Sequence, residues 1–149
     1  MPSEGLRNRI KRVNTALKWL NDLSKYNESE FFSDFRNIDS AERNLHVAIE
    51  DLLDIGNFII ANLSLEAPDT YKDVGKILAL NKIVPTEIGK LLTEMAKFRN
   101  ILVHGYAIVS DEKIYELLKT KLNDLTSVFS ALIEALDAHE IDLSECINH

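Results

Sequence analysis

Eight consecutive residues, Arg99-Asn100-Ile101-Leu102-Val103-His104-Gly105-Tyr106, bring an arginine, an amide, an imidazole and a phenol together. A guanidinium is a permanent cation whose planar fork suits phosphate. An imidazole titrates near neutrality and can take or give a proton. Such a set suits acid–base chemistry on an anionic substrate. The same residues also suit an ordinary helix end, with His104 as a cation near a C-terminus and Tyr106 as a packed ring with a wet hydroxyl.

Helix geometry sharpens the question. At about 100° per residue, Ile88, Leu91, Leu92, Met95, Ala96, Leu102 and Val103 gather on one side. Arg99 projects into the middle of that apolar arc, and Tyr106 returns to the same face. Asn100 and His104 share an adjoining face, and His104 stands about 140° from Arg99 on a straight helix. A guanidinium cannot shed its charge, and burying it unpaired is very costly. Arg99 therefore either pairs with a carboxylate (Glu42, Asp51 and Asp54 are the candidates) or lines a pocket or a subunit interface. A two-fold interface would pool the residues of two such helices.

The elements that must hold this stretch are helical. Of 149 residues, 46% are hydrophobic and 28% charged, with only five Gly and three Pro, so helix formers are abundant and chain punctuation is scarce. A chain of this length reads as one domain, residues 1–149. No apolar run approaches the ~18 residues of a membrane span, and the N-terminus lacks a signal-peptide core. The single Cys146 excludes an intramolecular disulfide and fits a reducing, cytoplasmic setting. A formal charge of −7 argues against broad coating of nucleic acid, though not against a local cationic pocket.

Apolar residues at spacings of three and four predict a first helix over Gly5–Tyr26, its first half made basic by Arg7, Arg9, Lys11 and Arg12. That basic half reads as a solvated face in preference to an RNA-backbone patch, and Trp19 reads as a core or interface residue. Asn27 with Glu30 is a capping pattern that opens a short aromatic helix carrying Phe31, Phe32 and Phe35. Asp39 with Glu42 repeats it and predicts a long helix over Ser40–Leu63, with a wide apolar face in which His46 reads as structural. A short helix follows over Tyr71–Leu80. The motif helix spans Pro85–Val109, and a last helix spans Asp111–Ala138. Residues 139–149 form a tail docked through Leu143 and Ile147. The expectation is all-α: an up-down bundle of four main helices with two short accessory ones.

Arg99, His104 and Tyr106 reproduce an Arg-x4-His-x-Tyr motif, and the sequence resembles the HEPN superfamily, specifically HepT-like toxins. Glu42-Arg43-Asn44-Leu45, Ala48-Ile49, Asp54-Ile55-Gly56 and Tyr71-Lys72-Asp73-Val74 look like the same family, and the resemblance runs from about Ile38 to Leu125. It implies a helical homodimer with the two motifs facing a shared cleft, and a ribonuclease toxin that needs no metal or cofactor. It also implies a nucleotidyltransferase antitoxin, which in some systems attaches AMP to the motif tyrosine. Carried over, Arg99 and His104 are catalytic, Asn100 is supporting and Tyr106 is the AMP acceptor. RNA is the implied substrate. The alternative is a non-catalytic nucleotide-binding module that docks a nucleotidyltransferase. A bundle with no site would instead pair Arg99 with a carboxylate inside one subunit.

Overall fold

The computed structural model describes residues 2–104 and 109–141, with the side chains of 2–4 and 104 left aside. Among the described residues the chain is all helical, with seven helices and no strand. These are α1 (Pro2–Ser24), α2 (Glu28–Phe32), α3 (Phe35–Asn62), α4 (Lys72–Leu80), α5 (Thr86–His104), α6 (Asp111–Thr120) and α7 (Leu122–Ala138). None of them is long and apolar enough to cross a membrane.

The long α3 is the axis of the fold and touches every other helix. Its buried Leu45, Ile49, Leu52, Leu53, Ile55, Ile59 and Ile60 meet Val13 and Leu20 of α1, Leu92 of α5, and Val128 and Leu132 of α7 in one apolar cluster. A face this wide follows from a helix with neighbours on several sides.

The Asn27/Glu30 capping box forms as expected. The Asn27 side chain accepts from the Glu30 N–H at 2.8 Å, and the Glu30 carboxylate accepts from the Asn27 N–H at 3.0 Å. The aromatic residues of this segment part company, however. Phe31 is buried and packs edge-on to Phe32 and against Tyr115 of α6, while Phe35 is exposed.

Three predicted helix bounds change. Asp34, not Asp39, caps α3, accepting from the Arg36 N–H at 2.9 Å, so the helix starts five residues before Ser40. The predicted last helix is two helices, broken at Lys121, where φ is −113° and ψ −2°. Val109 is not helical. Trp19 is 53% exposed and takes no part in this chain's core. Leu143 and Ile147 lie outside the described residues, whereas Ile141 packs against the core.

The accessory α4 meets α5 at unusually short range. Gly75 and Gly89 face each other, and a Cβ on Gly75 would stand 2.2 Å from the Gly89 carbonyl oxygen. Only glycine lets two helix backbones approach this closely. The contact sets where α4, and Tyr71 just before it, lie against the helix carrying the motif.

Candidate active site

Arg99 sits in the last turns of α5 with a side chain 19% exposed. Its guanidinium carbon lies 4.6 Å from the centre of the Tyr71 ring, a cation–π stack across the α4–α5 contact. Nη2 is 3.7 Å from Glu50 Oε1, an ion pair too long for a hydrogen bond. Nη1 donates to the neighbouring Asn100 Oδ1 at 3.4 Å, and Nε is buried with no acceptor among the described residues. A guanidinium has five N–H donors, so Arg99 is fixed in place by a ring face while most of its donors remain unspent.

Two of the three carboxylates expected to hold Arg99 are engaged elsewhere. Asp51 accepts from Arg12 Nε at 2.8 Å and Nη2 at 2.9 Å. Asp54 accepts from Arg9 Nε at 3.1 Å. The basic first half of α1 is thus only partly a solvated face: Arg9 and Arg12 neutralise acids of α3, while Arg7 and Lys11 remain exposed. Glu42 is exposed and lies in a groove with Asp39, Arg43, His46 and Leu102. Glu50 is the carboxylate that faces Arg99, and sequence reasoning missed it. The available signal was the i, i+4, i+8 row His46, Glu50, Asp54 on one face of α3.

Tyr71 is the centre of the arrangement and was also missed as a site residue. Its hydroxyl donates to Asp54 Oδ1 at 2.6 Å. Burial, then the hydrogen bond to Asp54 and the negative charges of Asp54 and Glu50, push its pKa up to about 12, against the opposing pull of Arg99. Tyr71 is therefore a protonated donor at neutral pH. A continuous polar chain results: Arg12 to Asp51, Arg9 to Asp54, Tyr71, Arg99, Glu50. Three arginines face three carboxylates in it, so the cluster is close to neutral. His46 stands at its far end, Nε2 lying 2.8 Å from Glu50 Oε2 but out of line for a hydrogen bond.

Of the four expected site residues, Arg99 and Asn100 are adjacent and in contact. His104 is the last residue of α5, one and a half turns beyond Arg99; its side chain and Tyr106 lie outside the described residues. Leu102 brings α5 to the polar groove of α3, but Val103, expected on the apolar arc, is 43% exposed. A separate apolar cavity of about 240 Å³, lined by Leu45, Leu91, Met95, Phe98, Leu117 and Leu125 among others, has no part of the motif on its wall. Among the described residues no cluster of three or more His, Cys, Asp or Glu could hold a metal ion.

Comparison with known proteins gives this geometry a setting. The family model described as Ribonuclease HepT-like matches residues 13–132. The chain is 30% identical over 92 residues to the putative RNase YutE of Bacillus subtilis, a match covering 60% of this chain and 64% of that one. It is 29% identical over 110 residues to the mRNA nuclease HepT of Shewanella oneidensis, covering 74% of this chain and 80% of the relative. The fold matches a solved structure described as a tri-AMPylated Shewanella oneidensis HEPN toxin in complex with MNT antitoxin, with TM-score 0.75 at 24% identity over 87% of this chain and 97% of that one. It also matches the structure of YutE, described as a cytosolic protein, with TM-score 0.71 at 23% identity over 89% of this chain and 92% of that one.

Proposed function

Since the chain belongs to the Ribonuclease HepT-like family, we propose that it is the endoribonuclease toxin of a toxin–antitoxin pair, cutting RNA without a metal ion. The observation that carries this is Arg99, a half-buried guanidinium held by a ring face with donors to spare, five residues before His104 on the same helix. The Shewanella relative, an mRNA nuclease, supports the substrate. The complex of a tri-AMPylated toxin with its MNT antitoxin supports the partner, a nucleotidyltransferase, and AMP addition to Tyr106 as the means of restraint.

In the reaction, the ribose 2′-hydroxyl gives up its proton to a base and attacks the adjacent phosphorus. The bond to the 5′-oxygen breaks and that oxygen takes a proton, leaving a 2′,3′-cyclic phosphate and a 5′-hydroxyl. An imidazole can serve at either end. His104 fills these roles, divided between the two copies of a homodimer whose motifs face one cleft. Arg99 stabilises the extra charge on phosphorus, and Asn100 supports Arg99. AMP on Tyr106 places a phosphodiester in the same cleft and competes with RNA for Arg99. The same reading takes 1–149 as one domain, with α1, α3, α5 and the α6–α7 pair as the main helices of an up-down bundle. It takes α2 and α4 as accessories and 139–149 as a tail, in a cytoplasmic protein.

The test is RNA cleavage by purified protein in the presence of a chelator. The wild-type protein should cut, and His104→Ala and Arg99→Ala should each lose activity at least 100-fold with helix content unchanged. Full cleavage by a well-folded His104→Ala protein overturns the assignment. Stable complex formation with a nucleotidyltransferase and no cleavage at any pH favours a non-catalytic docking module instead.

A further inference from the structure

We propose that Tyr71 is a positioning residue for Arg99, and that the Arg9–Asp54–Tyr71 chain is the device by which α1, α3 and α4 hold the motif arginine ready for phosphate. The proposal deepens the ribonuclease reading and rests on it for its kinetic consequence only.

The argument turns on how an arginine amid apolar neighbours can be held. A close, bidentate carboxylate would fix it but would use up the donors a phosphate needs. A ring face fixes it through the cation–π attraction and leaves the N–H edge free. The structure shows the second arrangement: the ring at 4.6 Å, the facing carboxylate of Glu50 at 3.7 Å, and Nη1 and Nη2 with no close carboxylate bond among the described residues.

The ring itself is anchored. Its hydroxyl donates to Asp54 at 2.6 Å, and Asp54 is kept from competing for Arg99 by Arg9 at 3.1 Å. Without the ring, Arg99 is free to close on Glu50, which is already the nearest carboxylate, and its donors become occupied. The arrangement also gives part of α1 a role: Arg9 lies 90 residues before Arg99 in sequence and three contacts away from it in space.

The primary readout is the Arg99 Nε–H resonance in a ¹⁵N-labelled protein, assigned by its disappearance in Arg99→Lys. An N–H above an aromatic face is shifted upfield by the ring current. The shift should be present in wild type, weakened in Tyr71→Phe, whose ring has lost its anchor, and lost in Tyr71→Leu. An unshifted wild-type resonance overturns the proposal without any variant at position 71. Should Tyr71→Leu fail to fold, Tyr71→Met removes the π face with an unbranched chain and is read in the same way.

The second readout is kinetic. Tyr71→Phe, which keeps the ring but loses its anchor on Asp54, should lower kcat about threefold. Tyr71→Leu should lower it about tenfold, because Arg99 acts on charge that develops in the transition state, and should raise KM as Arg99 loses part of its hold on the bound phosphate. Recovery of part of that loss in Tyr71→Leu/Glu50→Gln supports closure on Glu50. Active protein that tolerates Tyr71→Leu with kcat unchanged overturns the proposal. A protein with the ring-shifted resonance that cuts no RNA overturns the ribonuclease reading and supports the placement of Arg99.

Discussion

Gly75→Ala is the substitution that most directly couples the fold to the candidate site. Two effects of opposite sign compete. In a helix interior, alanine is favoured over glycine by about 1 kcal/mol. Against that, the new Cβ would lie 2.2 Å from the Gly89 carbonyl oxygen and 2.9 Å from Leu92 Cβ. Even the close C–H···O contacts of proteins keep carbon and oxygen about 3.3 Å apart, so α4 and α5 must separate by roughly 1 Å. The obstacle is backbone and cannot rotate away. Overpacking costs of 1–3 kcal/mol therefore apply at their upper end, and the net effect is a loss of about 2 kcal/mol.

With a urea m-value of about 2 kcal/mol/M for a domain of this size, the unfolding midpoint should fall by about 1 M. Gly89→Ala meets its nearest backbone atom, the Gly75 oxygen, at 2.7 Å, so it should cost less than Gly75→Ala. The functional consequence follows from place: Tyr71 immediately precedes α4 and Arg99 rides on α5. Forcing the helices apart draws the ring off the guanidinium, so Gly75→Ala should also move the Arg99 resonance. A Gly75→Ala protein with an unchanged or raised midpoint would show that helix propensity wins, and the close packing of α4 on α5 would be refuted.

Two further outcomes test the charge network. Arg12→Leu should destabilise by about 3 kcal/mol, since it strands Asp51, only 7% exposed, with Arg9 at 3.8 Å. Asp51→Asn should cost about 1 kcal/mol, because the half-exposed Arg12 turns to water; equal costs in urea unfolding would contradict this. The raised Tyr71 pKa means that the fold favours the protonated phenol. Its contribution is complete below pH 10.0, the ordinary value, and is lost as pH climbs through about 12. A two-unit shift corresponds to at most ~2.7 kcal/mol, which solvent screening at this half-buried position reduces to about 1 kcal/mol. The stability of wild type relative to Tyr71→Phe should therefore drop by that amount between pH 9.5 and 12, and a constant difference would rule it out.

How much of this was legible in the sequence depended on whether the signal was local. The Asn27/Glu30 box and the short helix at Tyr71 are written in neighbouring residues and form as read, whereas the aromatic helix stops at Phe32 and Phe35 opens α3. The start of α3 is not, because Asp39 and Glu42 repeat a capping pattern inside a helix that Asp34 has already begun. The α6–α7 break is silent for a different reason. Leu117, Leu118, Leu122 and Leu125 keep helical spacing across Lys121, and no Gly or Pro marks it. At the site, burial of an arginine was readable from the apolar arc, but its partners were not. Asp51 and Asp54 are taken by arginines 39 and 45 residues away, a choice made by the packing of α1 on α3 and by nothing in the local pattern.

The near-neutral cluster has a consequence for how RNA is held. Arg9 and Arg12 are spent on Asp54 and Asp51, so they add little positive potential at Arg99. The whole chain carries −7, so long-range attraction of a polyanion is weak. Binding must then come from short-range contacts, chiefly the unspent donors of Arg99. If each subunit of a pair engages one phosphate through Arg99, about two counterions are released. For single strands, each contact contributes a slope of about −0.7 to log K against log salt, which gives roughly −1.4 in all. Anisotropy titrations of a 2′-O-methyl RNA oligonucleotide between 50 and 300 mM salt, values at which such slopes are linear, measure it directly. A slope steeper than about −3 would mean that exposed cations such as Arg7 and Lys11 carry the strand, and that Arg99 is one contact among many.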